Sequence, residues 1–382
     1  MKKIILIPDS FKGTMSSAEI CEIMKKSIEK FRPETPVVSI PVADGGEGSV
    51  EAFLAACGGQ KKNIRVKGPF FEDVPSFYGI LADKKTAVIE MAACAGLPLV
   101  GDALAPEKTT TYGVGQLIID AVNSGCSKII MGLGGSATND GGCGAAAALG
   151  VKFFDKDNKE FVPTGGSLHD ICRIDMSSLA PELKKCSIVT MCDIDNPLYG
   201  ENGAAYVFGP QKGADPDAVK RLDKGLRHMA QIVQSASGAD AALTPGAGAA
   251  GGMGYGMNVF LKSKLQMGIE TVLDTVNFDS ILKDAECVFS GEGKIDTQSL
   301  RGKVVIGIAK RTKKADVPLI AVVGDIGDDI EEAYTKGVSA IFSTNRVAVD
   351  YSKAKLRAKK DMALTMENIM RFSDCVLQMR KR

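Results

Sequence analysis

Short β-branched runs recur along the chain, each handing over to a loop of glycine, serine and acid and then to a longer amphipathic segment. This recurrence restricts the fold more than any other feature, because it is the pattern of an α/β protein. Strands are predicted at 4–7, 37–40, 287–289, 319–323 and 340–342. Helices are predicted at 17–30, with Ser16 or Ser17 as N-cap and Glu19 in the first turn, and at 48–56, 303–311, 328–334 and much of 352–377. Two strands come from the first part of the chain and three from the last, so the expectation is a flavodoxin-like parallel five-stranded sheet in the order 2-1-3-4-5. Residues 1–68 and 284–382 are then one discontinuous domain, and 69–283 is an inserted mixed α/β domain. Within the insertion we expect a hairpin of 77–81 and 86–91, a helix at 108–123, and a strand at 128–133 that runs into a glycine-rich loop and a helix at 145–149. Further strands at 151–154 and 187–191 and a helix at 216–235 complete it.

Composition narrows the class. Forty-seven Lys and Arg nearly cancel 46 Asp and Glu over 382 residues, so the overall field does not favour nucleic acid or an anionic membrane. Ten scattered cysteines without C-x-x-C, beside only two histidines, argue against structural zinc and suit a reducing, cytoplasmic setting. The apolar run 4–7 is too short for a secretory signal, and no apolar run reaches the roughly 18 residues of a membrane span.

Five loops combine small residues with charge where α/β sheets bind ligands, just past a strand or before a helix. The first, Pro8-Asp9-Ser10-Phe11-Lys12-Gly13, offers Lys12 to neutralise an anion and Ser10 to donate a hydrogen bond. The second is Ala43-Asp44-Gly45-Gly46-Glu47-Gly48. The third is the most specific: Gly134-Gly135-Ser136-Ala137-Thr138-Asn139-Asp140 links a strand to an alanine-rich helix and bares backbone N–H groups as an anion nest. In the fourth, Cys192-Asp193-Ile194-Asp195-Asn196, the oxygens are of the type Mg²⁺ prefers. The fifth, Ser290-Gly291-Glu292-Gly293-Lys294-Ile295-Asp296 through Arg301, follows the predicted third sheet strand. In the expected order Lys12 and Lys294 face one crevice, with Asp9, Glu292 and Asp296 nearby. The run 244–256 is also glycine-rich, and close backbone packing, a flexible connector, the lining of a cleft and a hinge all stay open for it.

Multiple glycine nests, a few cations and several acids describe phosphate handling with a divalent metal. Phosphoryl transfer needs alignment, charge neutralisation and a group that orients the attacking hydroxyl. Lys12, Lys294 or Arg301 could stabilise the transferring group, and Asp193 or Asp296 could hold Mg²⁺ or accept the hydroxyl proton. Asp9, Ser10, Asp44 and Arg301 are candidates for the substrate side. Gly134, Gly135, Ser136, Asn139, Asp140, Gly291 and Gly293 are candidates for phosphate. The P-loop, the protein-kinase motifs and the G-x-S-x-G elbow are missing, and two histidines leave little room for Ser-His-Asp chemistry. A small-molecule kinase of another fold and a non-catalytic binder of phosphorylated or carboxylate metabolites are the alternatives.

These segments, with Pro41-Val-Ala-Asp-Gly-Gly-Glu-Gly48, Asn196-Pro197-Leu198 and Gly209-Pro-Gln-Lys-Gly213, occur in one order over nearly the whole chain. In that combination the sequence closely resembles the bacterial type I glycerate kinase family. The resemblance implies ATP-dependent phosphorylation of D-glycerate, at the 2-hydroxyl to give 2-phosphoglycerate and ADP, with Mg²⁺. It also implies two α/β domains, one flavodoxin-like, with in-line transfer in the cleft between them. D-glycerate and ATP are the expected partners, with no nucleic acid and no membrane, and a homodimer stays open.

Overall fold

The computed structural model describes every residue except Met1, Asp44, Gln298, Lys381 and Arg382. The chain forms two compact units, one of Met1–Ala43, Ala55–Cys57 and Met267–Arg382, the other of Asp44–Leu54 and Gly58–Gln266.

The first unit is built on five parallel strands in the spatial order Val37–Ser39, Lys3–Leu6, Ala285–Ser290, Leu319–Val323, Val338–Ser343. Ile4 and Ile5 are both buried although they point to opposite faces, as strands covered on both sides must be. The helix Ser17–Glu29 starts at a capping box in which Ser16 and Glu19 bond each other's backbone N–H. It buries Ile20, Met24 and Ile28, one helical face. Met362, Met366 and Met370 of the helix Tyr351–Arg380 repeat that spacing and join the same core cluster. The helix expected at 328–334 shrinks to Glu332–Thr335, because Asp329 adopts a left-handed φ of 55° that no helix can carry.

The second unit holds a six-stranded sheet in the order Lys264–Gln266, Ser187–Met191, Lys128–Gly132, Thr86–Glu90, Asp73–Leu81, Gly59–Lys67. The first four strands are parallel and the last two antiparallel. Gly59–Lys67 pairs with Asp73–Leu81 over its full length, which ties this strand to the second unit. That strand lies at the sheet edge and is mostly exposed. Its lysines and arginine guard the edge and hide the apolar alternation by which strands are recognised. The expected helix 108–123 begins at Tyr112, because Thr111 gives both its N–H and its hydroxyl to Asp140. Among the described residues no helix is long and apolar enough to cross a membrane.

Candidate functional site

In the first unit, the loops that leave Lys3–Leu6 and Ala285–Ser290 run together. The Asp9 N–H donates to the Gly291 carbonyl at 2.8 Å and the Ser290 hydroxyl donates to the Ile7 carbonyl at 2.9 Å. A Cβ placed on Gly291 would collide with the Val322 carbonyl, and one on Gly293 would lie 3.8 Å from the Lys12 nitrogen. Glycine is therefore required at 291 and merely present at 293. Asp9 turns one oxygen back onto the Ser10 N–H at 2.7 Å. Asp296 and Ser299 bond each other's backbone N–H, both at 3.2 Å.

Glu292 lies among these groups at 7% exposure, with Oε1 unpartnered among the described residues. Burial pushes its carboxyl up to about 7. The Ser299 hydrogen bond and Lys303 work against that rise, and the negative charges of Asp9 and Asp296 add to it. Asp9, Ser10, Gly291, Gly293 and Asp296 are thus brought to one place, along with the backbone of Lys12. Lys294 is exposed, on a two-residue strand that pairs with Asp325–Ile326. Arg301 is exposed at the end of the Ser299–Arg301 turn. Asp44 lies outside the described residues.

In the second unit the carboxyl ends of three neighbouring parallel strands lie in register, Glu90 beside Gly132 and Gly132 beside Met191. The glycine-serine loop and Asp193 therefore leave the same sheet edge. The Gly134 N–H donates to the Gly45 carbonyl at 3.0 Å. A Cβ on Gly134 would sit 2.5 Å from the Gly46 Cα, and one on Gly132 would collide with the Gly45 carbonyl. The second and third loops of the sequence reading hence pack backbone on backbone, with no room for a side chain between them. The run 244–256 also proves to be close packing: the Gly141 N–H donates to the Gly251 carbonyl at 3.0 Å.

Asp140 is fully buried and accepts four bonds, from the N–H groups of Thr111 (2.7 Å), Gly142 (3.0 Å) and Gly144 (3.2 Å) and from the Thr111 hydroxyl (2.8 Å). Burial raises its carboxyl, and those bonds oppose the rise. Asp140 is therefore spent on holding the loop to the helix that follows it. Asn139, one residue earlier, is equally buried, yet its Oδ1 and Nδ2 have no partner among the described residues, and neither has the Thr138 hydroxyl.

Two buried ionisable residues at this edge were not among the sequence candidates. Glu90 ends the strand Thr86–Glu90 and accepts from the Val50 N–H, so it caps the helix Ser49–Cys57. Burial pushes its carboxyl up to about 7. Lys212 is 2% exposed and donates to Ser136 Oγ at 2.8 Å and to the Thr138 carbonyl at 2.6 Å. Burial pulls its ammonium down to about 7, with Asp140 opposing. The signal for Lys212 was its place in Gly209-Pro-Gln-Lys-Gly213, a tight turn closed by Gly213 at φ 94°. Among the described residues no group of three or more His, Cys, Asp or Glu side chains is gathered to hold a metal.

The model of the glycerate kinase family matches residues 4–374. A protein of Escherichia coli K12 named glycerate 2-kinase is 45% identical over 89% of this chain and 90% of its own length. A Bacillus subtilis 168 protein named glycerate kinase is 43% identical over 96% of both chains. A crystal structure from Salmonella typhimurium LT2, provisionally named glycerate kinase 2, superposes with a TM-score of 0.88 at 38% identity and covers 99% of both chains. The chain belongs to the glycerate kinase family and is a phosphotransferase with an alcohol group as acceptor.

Proposed function

We propose that the chain phosphorylates D-glycerate at the expense of ATP, giving 2-phosphoglycerate and ADP by in-line transfer with Mg²⁺. The observation that carries this reading is family membership across residues 4–374, with relatives named for glycerate and, in one case, for its 2-position. The glycine-serine loop, with Gly134, Gly135, Ser136 and Asn139, takes phosphate, and Asp140 holds it in shape. Gly291 and Gly293 offer the backbone of the first unit to the same kind of group. Lys12, Lys294 and Arg301 supply positive charge. Asp9, Ser10 and Asp44 hold the hydroxy acid.

A magnesium ion carried on nucleotide phosphates needs only one or two carboxylates from the protein and keeps several waters. Asp193 or Asp296 would meet that demand without a dedicated metal cage. The ion supplies charge neutralisation on the phosphates, and one of the two aspartates accepts the hydroxyl proton. We read the five-stranded unit as flavodoxin-like. We also read the enzyme as cytoplasmic, a setting that suits ten cysteines all present as free thiols.

A coupled assay for ADP release tests the reading. Release that requires D-glycerate and Mg²⁺ together is the expected result. No release with D-glycerate under any condition of pH or metal overturns it.

A further inference from the structure

A buried ammonium normally has a carboxylate beside it, because a charge taken out of water is costly unless it is paired. Lys212 departs from that rule. Its Nζ makes two hydrogen bonds, both to neutral oxygens, and among the described residues no ion pair. The nearest negative charge that acts on it is Asp140, whose oxygens already serve four donors of the loop. Among the described residues the third Nζ hydrogen has no acceptor.

A second observation at the same place points the same way. The carbonyl that Lys212 grips belongs to Thr138, and the next residue is Asn139, whose whole amide is buried without a partner, as is the Thr138 hydroxyl. Leaving a buried donor or acceptor unmade costs about 1–3 kcal/mol. A loop that accumulates such groups around an uncompensated cation is less stable than it could be, and its unmet donors, the third Nζ hydrogen, the Asn139 Nδ2 and the Thr138 hydroxyl, suit an anion with several acceptor oxygens, whereas the Asn139 Oδ1 needs a donor.

We propose that Lys212 is the cation of the 134–140 loop, and that it and the Asn139 amide together take one anionic oxygen group, a phosphate of the nucleotide or the carboxylate of the hydroxy acid. The assignment rests on the phosphotransfer reading above and adds a binding residue to it. The Asn139 amide is closed to solvent in this structure, so binding requires the loop to shift. Lys212 also explains the Gly209-Pro-Gln-Lys-Gly213 turn, which bends the chain so that a lysine enters a protein interior.

Calorimetric titration of the full chain with ADP and, separately, with D-glycerate tests this in wild type, Lys212→Met, Lys212→Gln and Asn139→Leu, with folding checked by thermal melting. The expected result is that the variants lose about tenfold or more in affinity for the same one ligand and stay within about twofold for the other. A loss confined to ADP identifies a phosphate, and a loss confined to D-glycerate identifies the carboxylate. Lys212→Gln retains hydrogen-bond donors for Ser136 and Thr138 without charge, so a purely cross-linking lysine predicts no loss in that variant. Asn139→Leu breaks no protein hydrogen bond and decides the matter alone if neither Lys212 variant folds.

Wild-type affinity for both ligands in a folded Lys212→Gln or in Asn139→Leu overturns the inference, as does an equal loss for both ligands. If wild type turns over D-glycerate while the variants bind normally, only this assignment falls. If wild type binds neither ligand and shows no turnover, the proposed function falls with it.

Discussion

The loop cluster of the first unit and the glycine-serine loop of the second each surround a buried ionisable group, and they do so with opposite chemistry. Around Glu292 stand Asp9 and Asp296, with Lys303 opposing them, so the first unit holds a carboxyl raised to about 7 beside charges of both signs. Around Lys212 stand the Ser136 hydroxyl and the Thr138 carbonyl, both accepting from it, and an Asn139 amide unpartnered among the described residues, so the second unit surrounds a buried ammonium with neutral groups. The backbone is tight in both, at Gly291 in the first and at Gly132 and Gly134 in the second, and of these loop glycines Gly293 is the one that leaves room for a side chain. Phosphoryl transfer needs both kinds of environment, one to gather phosphate and one to handle metal and proton.

The largest expected effect lies in the second region. Asp140→Ala strips four buried donors of their acceptor and is expected to cost on the order of 4 kcal/mol in urea unfolding. A cost below about 1 kcal/mol would show that the loop does not depend on it. The next effect lies in the first region and is a pH effect. The folded carboxyl of Glu292 sits at about 7, above its ordinary 4.5. Between those values the folded state keeps a proton that the unfolded state has released, so the contribution of this group to stability falls as pH rises from about 4.5 to 7 and is level above. It amounts to on the order of 3 kcal/mol. Glu292→Gln is expected to flatten the wild-type urea midpoint over that range, leaving the similar slope due to Glu90. An unchanged slope would mean that Glu292 is not held neutral.

The two glycines sharpen the contrast further. Gly134→Ala forces a methyl against the Gly46 Cα and is expected to cost about 2 kcal/mol, while Gly293→Ala costs less than about 1 kcal/mol. Equal costs would erase the difference in backbone packing. The smallest effect is Lys294→Ala. The residue is exposed, so stability stays within about 0.5 kcal/mol, while turnover falls if Lys294 carries charge for the reaction.

Much of this was legible in the sequence where local pattern and position agree. The strands around Ile4, Leu319 and Phe342 are short, apolar and β-branched, and the run from Gly134 to Asp140 announces a tight loop by its composition. Legibility failed where tertiary context sets the outcome. The strand Gly59–Lys67 is an edge strand whose exposed lysines mask its periodicity. Thr109–Thr111 read as the start of a helix, but the Asp140 carboxylate takes Thr111 out of it. Lys212 is not singled out, because the Gly209-Pro-Gln-Lys-Gly213 run does not say by itself that the turn closed by Gly213 carries the side chain inward. Glu90 reads as the polar end of a strand, and its role as a helix cap depends on a segment some 40 residues away.

Phosphorus NMR of wild-type enzyme with ATP, Mg²⁺ and D-glycerate tests the central claim most directly. The expected result is loss of the ATP γ-phosphate signal and growth of one phosphomonoester resonance coupled to the single proton on carbon 2. An ATP spectrum that does not change, or a new resonance coupled instead to the methylene protons of carbon 3, would contradict it.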